Sequence, residues 1–212
     1  MSRQSVKFAA VLAGGLISAA TWLAGCASAD KKPAPELPSA DGRKAEHVSA
    51  SPAERGKYLV TVMSCNDCHT PFHMTPRGPE PDMARMLSGH PQDFKLPPPP
   101  DLGKGPWVWA GAATNTAFAG PWGISYAANL TPDKVSGLAS GGWSEERFIK
   151  AMRTGKHFGE SRPILPPMPW QGLSQATDAD LKAIWAYLQT VPPIHNEVPT
   201  VVMAGGPPPA GK

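Results

Sequence analysis

The chain has 212 residues, a formal charge of +3 and only 17% charged residues. That length allows one domain with extensions at its ends, and no basic cluster stands out to support nucleic acid binding. Proline (26) and glycine (21) are abundant, just short of the share that marks low-complexity chains, so a compact core with long irregular segments is expected. Three cysteines leave one over in any disulfide scheme.

Arg3 and Lys7 precede a mostly apolar run at residues 8–23. It is short for a membrane span, which needs about 20 apolar residues, and it fits an export signal. Leu23-Ala24-Gly25-Cys26 closes the run, and these four residues resemble a bacterial lipobox. The resemblance implies that residues 1–25 are removed, that Cys26 carries lipid, and that the chain is held on the periplasmic side of a bacterial membrane. Ala27, where an Asp would signal inner-membrane retention, favours the outer membrane. Residues 27–50 hold Lys31, Lys32, Pro33, Pro35 and Pro38 and few apolar side chains, so they read as a flexible tether spanning roughly 25–30 Å as a coil. His47 lies there as a solvated polar residue.

Ser51-Pro52-Ala53-Glu54 opens a helix with a capping box and a proline at its first position. Leu59, Val62 and Met63 follow at helical spacing, and the helix runs directly into Cys65-Asn66-Asp67-Cys68-His69. This is C-x-x-C-H, the attachment signature of c-type haem. On that reading the two thiols would become thioethers and His69 would bind iron, its other ring nitrogen needing an acceptor, expected to be a carbonyl downstream. Three alternatives exist for these letters. A thioredoxin-like redox pair needs a strand before the motif. Zinc could take Cys65, Cys68, His69 and His73, though adjacent ligands at 68 and 69 would have to face one ion. The match could also arise by chance.

Prolines throughout residues 70–128 exclude long regular elements; residues 82–88 suit a short helical turn. Trp107, Trp109, Phe118 and Trp122 argue against disorder, so a packed insertion that covers a cofactor edge, presents a docking face or serves as scaffold is expected. His73 and His90 read as surface or packing residues. Ser144 is a good N-cap, Glu145 and Glu146 suit a positive helix end, Phe148 and Met152 share a face, and Gly155 can end the helix in a left-handed conformation. Residues 162–170 (Arg-Pro-Ile-Leu-Pro-Pro-Met-Pro-Trp) hold Met168 on a proline-stiffened loop. Thr177, Asp178 and Asp180 start a last helix with Leu181, Ile184, Trp185 and Leu188 on one face. Pro192 and Pro193 follow it, then His195 as polar surface and a Pro/Gly-rich tail expected to lie on the surface or fray.

These segments together resemble class I cytochrome c. The stretch with Asn129-Leu130-Thr131-Pro132-Asp133, Gly142-Trp143-Ser144 and Ala151-Met152-Arg153-Thr154-Gly155 is similar to haem modules in the cytochrome subunits of periplasmic alcohol and sugar dehydrogenases. The resemblance implies an all-α fold around one covalent haem c, interrupted by a long Pro/Trp-rich irregular insertion at about residues 76–124. The cytochrome domain is expected at 51–195 and the tail at 196–212. The resemblance further implies His69 and Met168 as axial ligands, with His157, Met74 and Met203 as other choices for the second position. Arg162 would pair with a propionate and Trp170 would pack on the ring. An aromatic of Ala186-Tyr187-Leu188 would pack on the first helix near Gly56. With both axial positions filled, the expected role is electron transfer between protein donors and acceptors, not catalysis on a small-molecule substrate. The alternatives are a peroxidase or thiosulfate-type haem enzyme with a labile or replaced second ligand, or a dedicated cytochrome subunit of a dehydrogenase.

Overall fold

The computed structural model describes residues 51–102 and 105–205. The export signal, Cys26, the tether with His47 and the end of the tail lie outside the described residues.

Helix α1 (Pro52–Val62) begins as its sequence demands. The Ser51 side chain accepts from the Glu54 amide, and the Glu54 carboxylate accepts from the Ser51 amide at 2.7 Å. The buried face is not the expected one. Gly56, Leu59 and Val60 are buried and Met63 is partly buried, while Val62 stands 55% exposed. Gly56 decides this, because α1 meets helix α5 (Asp178–Leu188) there. A Cβ at residue 56 would overlap the Ala183 carbonyl and lie 2.7 Å from the Tyr187 Cβ. Gly56, Leu59, Val60 and Met63 form the stripe of that crossing. Thr177 caps α5 by accepting from the Asp180 amide, and an Arg55–Asp180 ion pair of 3.0 Å links the two helices at their exposed edge.

Helix α3 (Glu145–Thr154), which packs on α5, is capped by Ser144 and ended by Gly155 at φ 65°. Phe148, Ala151 and Met152 turn inward and join Leu59, Val60, Leu181, Ile184 and Leu188 in one apolar core, with Leu87, Leu138 and Val191 added from loops. Burying each large aliphatic side chain contributes about 1.5–3 kcal/mol. A short α2 (Cys65–His69) follows α1 and α4 (Trp170–Leu173) precedes α5. The expected direct run from α1 into Cys65 is interrupted at Ser64, which adopts φ 58°.

The all-α expectation with an irregular insertion is corrected. Strands β1 (Phe72–Thr75) and β2 (Gly78–Pro81) form a hairpin with Phe72 opposite Pro81 and Thr75 opposite Gly78. A 3-10 turn at Met83–Arg85 follows, capped by Asp82. Strands β3 (Ala110–Gly111), β4 (Ala117–Gly120) and β5 (Gly123–Tyr126) make an antiparallel sheet. Its fourth strand, β6 (Val202–Met203), comes from the expected tail and pairs with β5. Asn196, assigned to the tail, is fully buried. The prolines do limit regularity, since every strand has only two to four residues. Elements that short carry no alternation long enough to read. Among the described residues no helix is long and apolar enough to cross a membrane.

Candidate functional site

Helix α2 places Cys65, Cys68 and His69 within little more than one turn. Both thiols are free. Burial pushes the Cys65 thiol up to about 11 and raises that of Cys68. A reactive redox pair requires a lowered thiol pKa, so this environment disfavours the thioredoxin-like alternative. Zinc coordination finds no geometry either: among the described residues, no three His, Cys, Asp or Glu side chains converge to hold a metal ion.

His69 is buried, and its Nδ1 lies 2.8 Å from the Ala128 carbonyl oxygen. A carbonyl only accepts, so Nδ1 carries the proton and Nε2 keeps its lone pair. Burial lowers the imidazole pKa, partly offset by this hydrogen bond, so the ring is held neutral and in one tautomer. Sequence reasoning asked for a downstream carbonyl without locating it. A backbone oxygen has no side-chain signature; the nearest signal was the Asn129-Leu130-Thr131 stretch beside it.

A layer of hydrogen bonds holds Ala128 in place. The Leu130 amide donates to the Leu87 carbonyl at 2.8 Å, the His90 amide to Ala127 at 3.0 Å, and the Ala127 amide to Thr116 at 2.8 Å. Asn129 accepts from the Thr131 amide and hydroxyl and donates to the Ile194 carbonyl. Asn196 Nδ2 donates to the carbonyls of Ser88 at 2.6 Å and His90 at 2.9 Å, and its Oδ1 accepts from the Gln92 amide at 2.9 Å. His90, expected as surface or packing, is buried with Nδ1 2.9 Å from the Thr116 hydroxyl. Neither Asn196 nor His90 carries a local sequence signal for this role.

The second group of expected site residues stands on the loop after α3. Its path is set by backbone bonds from Ile164 to Gly155 and from His157 to Arg162. A bond of 2.6 Å from the Ser125 hydroxyl to the Pro166 carbonyl ties it to β5. The Pro166–Pro167 peptide is cis. Met168 is half-buried and borders the same apolar core as Cys65, Met63, Leu130, Trp143 and Ile164. Met74 and Met203 are exposed at 71% and 45%, out on the strands. His157 meets Trp143 and Phe158 edge to face, with ring centroids 5.1 and 4.0 Å away. Arg162 donates to the Pro163 carbonyl at 3.3 Å and makes no ion pair among the described residues. Trp170 begins α4 and covers Gly155, where a Cβ would lie 2.6 Å from the indole Cδ2.

No protein-family model matches the chain. It is 34% identical over 146 residues to the fructose dehydrogenase cytochrome subunit of Gluconobacter japonicus, covering 68% of this chain and 22% of that protein. To the gluconate 2-dehydrogenase cytochrome c subunit of Pantoea cypripedii it is 37% identical over 135 residues, 63% of this chain and 22% of that one. To a nicotinate dehydrogenase subunit of Pseudomonas putida it is 29% identical over 151 residues, 71% of this chain and 10% of that one. These likenesses support a c-type cytochrome module. The chain thus spans between a tenth and a quarter of the length of the relatives it matches.

Proposed function

We propose that the chain is a c-type cytochrome module that carries one haem and passes single electrons, without transforming a substrate of its own. One observation carries this reading: His69 has Nδ1 engaged by the Ala128 carbonyl and Nε2 without a hydrogen-bond partner among the described residues, with two free thiols in the same short helix. The residues fit the group. The thiols and the imidazole share little more than one helical turn, and Leu130, Trp143, Ile164 and Met168 offer half-buried apolar surface against the same core that Cys65 borders. Cys65 and Cys68 would hold the haem through thioethers, and His69 and Met168 would bind its iron. Bound there, it would supply one-electron chemistry between ferric and ferrous iron.

The chain's own residues do the rest. The Ala128 bond orients the His69 ring and increases its basicity. Met168 would offer a soft thioether from a loop already ordered, so little order would be lost when it bound iron, and no place would be left there for a substrate. Among the described residues the Arg162 guanidinium pairs with no carboxylate, and it suits a propionate. Trp170 shields the end of α3. The donor is a protein, and the names of the relatives favour a dehydrogenase, with this chain as its dedicated cytochrome component or as a shuttle beside it. Lipid on Cys26 and a periplasmic, outer-membrane location complete the proposal.

The test is production of the full chain in a host with a c-type maturation system. The product should stay haem-positive on a denaturing gel and lose that stain in Cys65→Ala/Cys68→Ala. The oxidised protein should show the weak long-wavelength methionine–iron charge-transfer band. Met168→Ala should lose the band and gain rapid cyanide and CO binding. A wild type without the band that already binds CO would sink the carrier reading in favour of a haem enzyme.

A further inference from the structure

The insertion does more than pack beside the site, and one glycine in it touches both ends of the His69 arrangement. Gly89 is buried at φ 78°. Its amide donates to the main-chain carbonyl of His69 at 2.8 Å. Its Cα faces the peptide that binds the His69 ring: a Cβ there would overlap the Ala127 carbonyl and lie 2.6 Å from the Ala128 carbonyl carbon and 2.7 Å from its oxygen. The neighbours of Gly89 are fixed on both sides, by Leu87–Leu130 and His90–Ala127 bonds and by Asn196 on Ser88 and His90. Residue 89 therefore cannot move away from residue 128 without breaking that framework.

Resting on the haem reading, we propose that Gly89 is a positioning residue for His69. Lacking a side chain, it lets residues 87–90 close against residues 127–130 and aim the Ala128 carbonyl at Nδ1. The strength of that bond governs how much electron density the imidazole gives to iron. Weakening it makes His69 a poorer donor, favours the ferrous state and moves the reduction potential in the positive direction.

Gly89→Ala and Gly205→Ala in the loaded full chain separate this role from backbone strain. Gly205 has a similar φ of 73°, but a Cβ there meets nothing within 4 Å. Potentiometric titration and the His69 Nδ1–H resonance of the reduced protein are the readouts. Gly89→Ala should shift the potential positive and speed exchange of that proton, while Gly205→Ala leaves both at the wild-type value. Asn196→Ala loosens the same segment without adding an atom to it and should give a smaller shift of the same sign, which covers the case in which Gly89→Ala does not fold. An unshifted potential and resonance in a folded Gly89→Ala, or in Asn196→Ala where the former does not fold, overturns the proposal alone. A wild type that takes up no haem overturns the parent reading, and this one with it, before any variant is compared.

Discussion

The helical framework and the sheet-bearing region are held together by different physics. In α1, α3 and α5 the large buried side chains are all apolar: Leu59, Val60, Phe148, Met152, Leu181, Ile184 and Leu188. Around the sheet and its flanking loops Leu87, Ala117, Phe118 and Leu138 are buried too, but most of the buried side chains are polar: Ser88, His90, Thr114, Thr116, Ser125, Asn129, Thr131 and Asn196. Apolar burial is strong but non-directional, so it can bring α1, α3 and α5 together without deciding where a single oxygen points. Hydrogen bonds contribute about 1 kcal/mol net each but have strict geometry. The sheet-bearing region uses many of them on residues 127–131, and its product is one carbonyl, that of Ala128, aimed at His69. On this comparison the framework supplies stability and the insertion supplies aim.

The largest expected effect lies in the framework. Leu181 is completely buried at the centre of the core. Leu181→Ala should cost about 2–5 kcal/mol and Leu181→Met less than about 1.5 kcal/mol, measured by denaturant unfolding. Equal losses for the two variants would contradict a core that depends on volume more than on direction.

Asn196 is the corresponding probe of the other region and should show no such tolerance. Asn196→Ala leaves the Ser88 and His90 carbonyls and the Gln92 amide without their partner. A buried unsatisfied group costs about 1–3 kcal/mol, so a loss of roughly 2–3 kcal/mol is expected. Asn196→Leu, close in size, should lose as much. Hydrogen exchange should quicken at Gln92 and Gly89 while amides of α5 keep their protection until global unfolding. Recovery of stability by leucine would erase the distinction between the two regions.

The same distinction explains what could be read without coordinates. The caps of α1, α3 and α5 each lie within three residues of the amide they serve, and periodicity is equally local, so these elements were legible. Even there the burial of Val60 in place of Val62 depended on where α5 crosses Gly56. In the sheet-bearing region the hairpins are local, but the partners that fix the site are distant. β5 finds β6 almost eighty residues downstream, Asn196 reaches back to Ser88, and the ring of His69 meets a main-chain oxygen. Cys65, Cys68 and His69 were legible because one turn of helix suffices to gather them. Gly89 carried only the generic signal of a glycine in a turn.

The smallest effect concerns the loop between α3 and α4, which both regions hold: Ile164 and Met168 pack on the helical core while Ser125 of β5 binds the Pro166 carbonyl. His157 on this loop is pushed down to about 4, first by burial against its aromatic neighbours and then by the charge of Arg162. Its folded value lies below its ordinary 6.5, so folding favours the neutral ring. The resulting stability is fully present above about pH 6.5 and is lost as pH falls through about 4. An NMR titration of the ring proton in the wild type should give a midpoint near 4. Arg162→Gln removes the lesser cause and should raise that midpoint only part of the way toward 6.5, because the burial by Trp143 and Phe158 is unchanged. A return to the full value would show that charge, not desolvation, governs this loop, and would assign it to the directional side of the comparison.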